Sequence, residues 1–199
     1  MQKEKNRAIP GWVIWFVGLP GAGKSTYARA VFKDLENKGE KVQYLSMDEW
    51  RKINSPNPKY TWEERVRLYR LFAEQAAKIA YSGINVIMDG TAPQLSMRHY
   101  ARSLVPRFAE VFVHCPLEIA IEREDSRPEG MVMAGLYKKA LRRKETGVDF
   151  PGLGEVIGVD VPFEEDNLAE CVINSEYISV EQGRDQVLSF LAGWEFPAT

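Results

Sequence analysis

The sequence predicts an α/β fold, a five-stranded parallel sheet flanked by helices. Two observations predict it. Apolar, strand-like runs alternate with stretches of helical periodicity along the 199 residues, and that alternation implies parallel strands joined by right-handed crossovers. The first apolar run, Trp12 to Val17, leads into a glycine-rich turn and then a helical pattern. That order of strand, turn and helix is the context in which a backbone loop can cradle phosphate.

Each element has its own justification. Residues 1–10 read as a loose lead-in. Trp12-Val13-Ile14-Trp15-Phe16-Val17 is apolar throughout and reads as a buried strand. Tyr27 to Lys38 is helical and stops at Gly39. Lys41 to Ser46 alternates as a second strand, and Asn54 to Lys59 is a loop rich in proline and asparagine. Thr61-Trp62-Glu63-Glu64 has capping-box spacing and opens a long helix ended by Gly83. Its apolar stripe is Val66, Leu68, Tyr69, Phe72, Ala73, Ala76, Ile79 and Ala80. Ile84 to Met88 is a third strand ending at Asp89, and Gln94 to Leu104 a helix. Ala109 to Cys115 is a fourth strand, and Pro116 opens a helix in the favoured first-turn position. Leu136 to Lys144 is a basic helix, Cys171 to Asn174 a fifth strand, and Val180 to Leu191 a closing helix. With no repeat or linker, residues 1–199 are expected to form one domain.

Composition narrows the function classes. The chain is 45% hydrophobic and 27% charged, with net charge −2, values of a globular domain with a substantial core. A nearly neutral charge balance disfavours a nucleic-acid face, and no apolar run approaches a membrane span. Met1 to Arg7 lacks the apolar core of a signal peptide. Cys115 and Cys171 sit in apolar runs, as free thiols of a reducing, cytoplasmic setting would.

The chemistry centres on Gly18-Leu19-Pro20-Gly21-Ala22-Gly23-Lys24-Ser25-Thr26, which fits G-x-x-x-x-G-K-[ST]. Glycines let consecutive N–H groups converge on phosphate oxygens, and the following helix N-terminus adds partial positive charge. These nine residues are therefore expected to bind ATP, with Lys24 bridging the β- and γ-phosphates and Ser25 ligating Mg²⁺. The fold class is that of a P-loop NTPase. Asp48 follows the second strand, where a carboxylate can orient an acceptor hydroxyl or take its proton; the alternative is a helix N-cap. Asp89 follows four apolar residues and is a second candidate for the metal beside Ser25; the alternative is an ordinary Asp-Gly turn.

Several segments together resemble the adenylylsulfate kinase family. These are the phosphate loop, Asp48-Glu49-Trp50-Arg51, Tyr60-Thr61-Trp62-Glu63-Glu64-Arg65, and Pro116-Leu117-Glu118 with Arg123. Gly135-Leu136-Tyr137-Lys138-Lys139-Ala140 and Gly158-Val159-Asp160-Val161-Pro162-Phe163-Glu164 follow in the family's order. The resemblance covers residues 11 to about 175. It implies a nucleoside-monophosphate-kinase-like architecture with a lid near residues 125–146, and transfer of the ATP γ-phosphate to the 3′-hydroxyl of adenosine 5′-phosphosulfate.

The resemblance also implies site roles. Arg51 and Arg65 match positions that hold the anionic substrate, and Tyr60 matches an aromatic that stacks on its base; a local loop contact is the alternative for Tyr60. Arg123 is expected on the ATP side, and Lys138 and Lys139 over the substrate. Arg142 and Arg143 read more as a solvated helix face. The chain departs from the family in its acceptor pocket. Leu68 stands for an asparagine, Ala92-Pro93-Gln94-Leu95 for Ser-Pro-Phe/Tyr-Arg, and Val156 for an adenine-clamping phenylalanine. Another nucleotide, sugar or sugar-acid acceptor therefore stays open, as does a nucleotide-binding switch. A small anionic molecule is the expected partner, with neither nucleic acid nor membrane involved. Assembly is open, with a homodimer as the candidate.

Overall fold

The computed structural model describes residues 10–56, 58, 61–126 and 135–194. Five strands form one parallel sheet: β1 (Val13–Val17), β2 (Val42–Ser46), β3 (Asn85–Asp89), β4 (Phe108–His114) and β5 (Cys171–Asn174). Their spatial order is β2-β3-β1-β4-β5. The helices are α1 (Lys24–Asn37), α2 (Met47–Asn54), α3 (Trp62–Tyr81), α4 (Leu95–Leu104), α5 (Leu117–Asp125), α6 (Leu136–Thr146) and α7 (Val180–Gly193). The expected parallel α/β sheet is thus present.

The central strand explains its own composition. All five β1 residues are at most 1% exposed, because helices cover both faces of the sheet. Ile14 and Phe16 pack with Tyr27, Val31 and Val187 on the side of α1 and α7. Val13, Trp15 and Val17 pack with Phe72, Ala76 and Met97 on the side of α3 and α4. Burying each large side chain contributes about 1.5–3 kcal/mol. Chain order reverses around β1, which lies between β3 and β4, so a crevice opens at the carboxyl ends of these strands.

Several local expectations are corrected. Helix α1 begins at Lys24, not Tyr27: Gly23, at φ 97°, is its N-cap, so the phosphate loop and the helix overlap. Strand β3 includes Asp89, and α2 follows β2 directly. The N-cap of α2 is Ser46, whose Oγ accepts the Glu49 N–H at 3.5 Å; Asp48 lies within the first turn. At Thr61 only half of the capping box forms. Thr61 Oγ1 accepts the Glu64 N–H at 3.3 Å, while the Glu64 carboxylate accepts from the Ser55 hydroxyl. A complete box occurs instead at Ser179 and Gln182. Val66, placed in the apolar stripe, is 39% exposed. Of the expected lid, residues 127–134 lie outside the described residues, and α6 follows them. No described helix is long and apolar enough to cross a membrane.

Candidate active site

The phosphate loop takes its shape from close backbone approach. Gly18 (φ 140°) and Gly21 (φ 84°) have left-handed backbone, and a Cβ on either would collide with a carbonyl oxygen, that of Val113 or Ala120. The Ala22 N–H donates to Leu19 O at 3.1 Å, and the Thr26 N–H to Gly23 O at 3.0 Å, closing the turn. Lys24 is only 8% exposed and donates from Nζ to Leu19 O at 2.8 Å. Ser25 and Thr26 are exposed on the first turn of α1. Pro20 O accepts the Tyr137 hydroxyl at 2.9 Å, so α6 holds the loop from outside.

Beside the loop lies a cavity of about 350 Å³. Gly21, Lys24 and Ser25 form one wall, and Asp48, Arg51 and Asp89 another. Arg65 and Tyr69 enter from α3, and Glu155, Val156 and Ile157 close the far side. Asp48, Arg51, Arg65 and Asp89, separated in sequence, are therefore brought together with Lys24 and Ser25.

Asp89 is the last residue of β3 and is 5% exposed. Its Oδ2 accepts the Tyr44 hydroxyl at 2.6 Å. Burial and the neighbouring carboxylate push the Tyr44 phenol above its ordinary range, so it stays a donor. Arg29 lies 5.7 Å from the centre of the Tyr44 ring. A carboxylate held this way is a strand-end group with a fixed orientation.

Arg65 is half-buried. Its Nη2 donates to Glu155 O at 2.7 Å and its guanidinium lies 5.4 Å from the Trp62 ring centre. Its Nη1 is buried and has no hydrogen-bond partner among the described residues. Burial lowers the Arg65 pKa, and Arg51 nearby lowers it further. Two guanidiniums share one cavity, one with an unspent donor, and the guanidinium fork matches the geometry of an oxyanion.

Arg123, Lys138 and Lys139 are placed outside this lining. Arg123 does not line the cavity: Nη1 donates to Ser175 Oγ at 3.0 Å and Nη2 to Ser175 O at 2.8 Å, beyond the end of β5. Lys138 and Lys139 are exposed on α6 and do not line it either. Tyr60 lies outside the described residues. Arg143, read as surface, instead organises the cavity's far wall. It donates to Asp160 Oδ2 at 2.6 Å and Gly154 O at 2.9 Å, and the same Asp160 oxygen accepts the Val156 N–H at 2.7 Å. Leu68 is fully buried in the core, so the side chain that α3 presents beside Arg65 is Tyr69.

Sequence reasoning also missed the groups that hold the site. Glu124, 1% exposed, accepts the N–H groups of Leu136 (3.0 Å) and Tyr137 (3.4 Å), capping α6. Arg98, 1% exposed, pairs through Nε with Glu110 at 2.9 Å. It also donates to Ala92 O at 2.5 Å and to Glu164 O. Ala92 has φ 42°, a conformation that costs a non-glycine residue about 1–3 kcal/mol. Arg98 holds its carbonyl. The one signal in the sequence was Glu110, a charge inside an apolar strand, which demands a partner.

Residues 10–174 match the family model described as adenylylsulphate kinase. A probable adenylyl-sulfate kinase of Archaeoglobus fulgidus is 34% identical over 165 residues, 83% of this chain and 96% of that protein. The adenylyl-sulfate kinase of Deinococcus deserti is 32% identical over 181 residues, 91% of each. Among solved structures, Mycobacterium tuberculosis APS kinase in complex with AMPPNP and APS aligns at TM-score 0.76 and 24% identity. That alignment covers 92% of this chain and 99% of the other, a likeness of fold.

Proposed function

The chain belongs to the adenylylsulphate kinase family, and from that premise we propose that it transfers the γ-phosphate of ATP to the 3′-hydroxyl of adenosine 5′-phosphosulfate. The observation that carries the reading is one cavity joining Lys24 and Ser25 to Asp48, Arg51 and Arg65. The reading sets the phosphate donor beside Lys24 and Ser25 and the oxyanion-bearing acceptor beside Arg51 and Arg65.

The chemistry follows from charge and position. The loop N–H groups and Lys24 hold the β- and γ-phosphates and draw off the charge that builds on the transferring group. Arg51 and Arg65 hold the phosphosulfate by charge-assisted hydrogen bonds, which turn the ribose toward Asp48. Asp48 accepts the proton of the attacking hydroxyl.

The donor set supports Mg²⁺. Among the described residues no cluster of three His, Cys, Asp or Glu side chains forms a metal cage. Phosphoryl-transfer sites do not need one, because Mg²⁺ keeps waters and takes one or two protein oxygens plus substrate phosphates. Ser25 and Asp89 supply hard oxygens on the same cavity, with Asp89 fixed by Tyr44. When bound there, the ion would supply positive charge to offset that of the triphosphate.

The test is a coupled assay of ADP release with adenosine 5′-phosphosulfate beside sugars, sugar acids and other nucleotides. Turnover on the phosphosulfate supports the proposal; turnover only on another acceptor overturns it. Asp48→Asn is expected to lower kcat by about 10²–10⁴ while ATP binding persists. Full activity in that variant removes Asp48 from the chemistry.

A further inference from the structure

We propose that Tyr69 is a substrate-contacting residue whose phenolic hydroxyl donates a hydrogen bond to the acceptor's anionic group, beside Arg51 and Arg65. The inference rests on the reading of the acceptor as an oxyanion-bearing molecule and adds a neutral donor to its recognition.

Tyr69 follows Arg65 by one helical turn on α3, so both side chains reach the same cavity. The ring is held rigidly. It is 4% exposed, its centre is 5.9 Å from that of Trp15, and a Cβ at Gly90 would lie only 3.4 Å from Tyr69 Cε1. With the ring fixed, the hydroxyl has a defined position.

That hydroxyl has its donor open. No hydrogen bond from the phenol to an acceptor is present among the described residues, and the Ala92 backbone lies near the phenol. A phenol on a cavity wall with its donor unspent is open to a ligand or water. Arg51 and Arg65 both lie close enough to act on the phenol electrostatically, and so does Asp48. Two cations draw an anionic oxygen to this end of the cavity, and Arg65 Nη1 is the second unspent donor there. The two donors define where that oxygen sits. Tyr69 adds no charge, so its contribution is to discriminate: an acceptor lacking the oxygen leaves the phenol unpaired.

The experiment is steady-state kinetics of Tyr69→Phe, which keeps the ring and removes only the hydroxyl. KM for adenosine 5′-phosphosulfate is expected to rise about tenfold or more, the effect of losing a hydrogen bond to a charged group. KM for ATP should stay within about twofold and the melting temperature within a few degrees. A role confined to supporting Ala92 would instead move kcat, both KM values and stability together. An Arg65→Lys/Tyr69→Phe cycle adds a second readout, because donors to one oxygen should be non-additive. An unchanged phosphosulfate KM in an active Tyr69→Phe enzyme, or strict additivity, overturns the role of Tyr69 alone. If the wild type uses a different anionic acceptor, the same split is read with that molecule. A wild type that accepts only uncharged hydroxyl compounds overturns both this inference and the phosphosulfate reading.

Discussion

Tyr137 donates its phenolic hydrogen to the carbonyl oxygen of Pro20 across 2.9 Å. Helix α6 thereby grips the phosphate loop, although 117 residues separate the two positions. The Gly-Leu-Tyr-Lys-Lys-Ala segment thus meets the site through its buried tyrosine, while its two lysines face solvent. Tyr137→Phe is expected to raise KM for ATP several-fold and cost about 0.5–1.5 kcal/mol of stability. Kinetics and urea unfolding check the two effects, and an unchanged ATP affinity would show that the loop keeps its shape without α6.

Glu124 supports the same helix from below. Its two carboxylate oxygens satisfy the N–H groups of Leu136 and Tyr137 at the start of α6, where negative charge is also favoured by the helix dipole. Glu124→Gln removes the charge and one acceptor, and is expected to cost about 1–2 kcal/mol. Hydrogen exchange should report the loss locally, as faster exchange of the Leu136 and Tyr137 amides. Uniform acceleration across the sheet would point to a global effect instead.

Arg98 and Glu110 are each at most 1% exposed, so removing one partner strands the other's charge in the core. Arg98→Met is expected to cost about 3–5 kcal/mol, and Arg98→Met/Glu110→Leu to recover much of it. Denaturant midpoints test this. The double variant should still lose acceptor turnover, because Arg98 also holds the carbonyls of Ala92 and Glu164, and Ala92 leads into the cavity wall at Pro93.

Cys171 gives a pH dependence. Burial pushes its thiol from 9.0 up to about 11. The unfolded chain releases this proton first, so the contribution is fully present below pH 9 and is lost as the pH rises toward 11. Stability measured across that window should fall more steeply in the wild type than in Cys171→Ala. Parallel curves would rule the thiol out as a source of the slope.

Much of this was legible along the chain because it depends on local chemistry. Strand-like apolar runs and helical stripes follow from side-chain period, and Gly18 to Thr26 marks itself because only glycine tolerates its backbone. The order of segments was enough to place the chain among adenylylsulfate kinases. The acceptor end of the cavity was harder. Leu68 and Tyr69 both belong to the apolar stripe of α3, and successive residues point about 100° apart around a helix. Periodicity alone cannot say which of them meets the core and which the cavity.

The sequence by itself determined the parallel sheet, the phosphate loop and the family. Their signals are periodic, contiguous or ordered along the chain. Only the tertiary structure decided which polar groups meet. Tyr44 reaches Asp89 because β2 pairs with β3 in a register that sets Ser46 beside Asp89. Arg98 reaches Glu110 and Glu164, and Tyr137 reaches Pro20, only after the sheet has stacked its helices. Hydrogen bonds act over about 3 Å, so partners distant in sequence cannot be paired until packing brings them together.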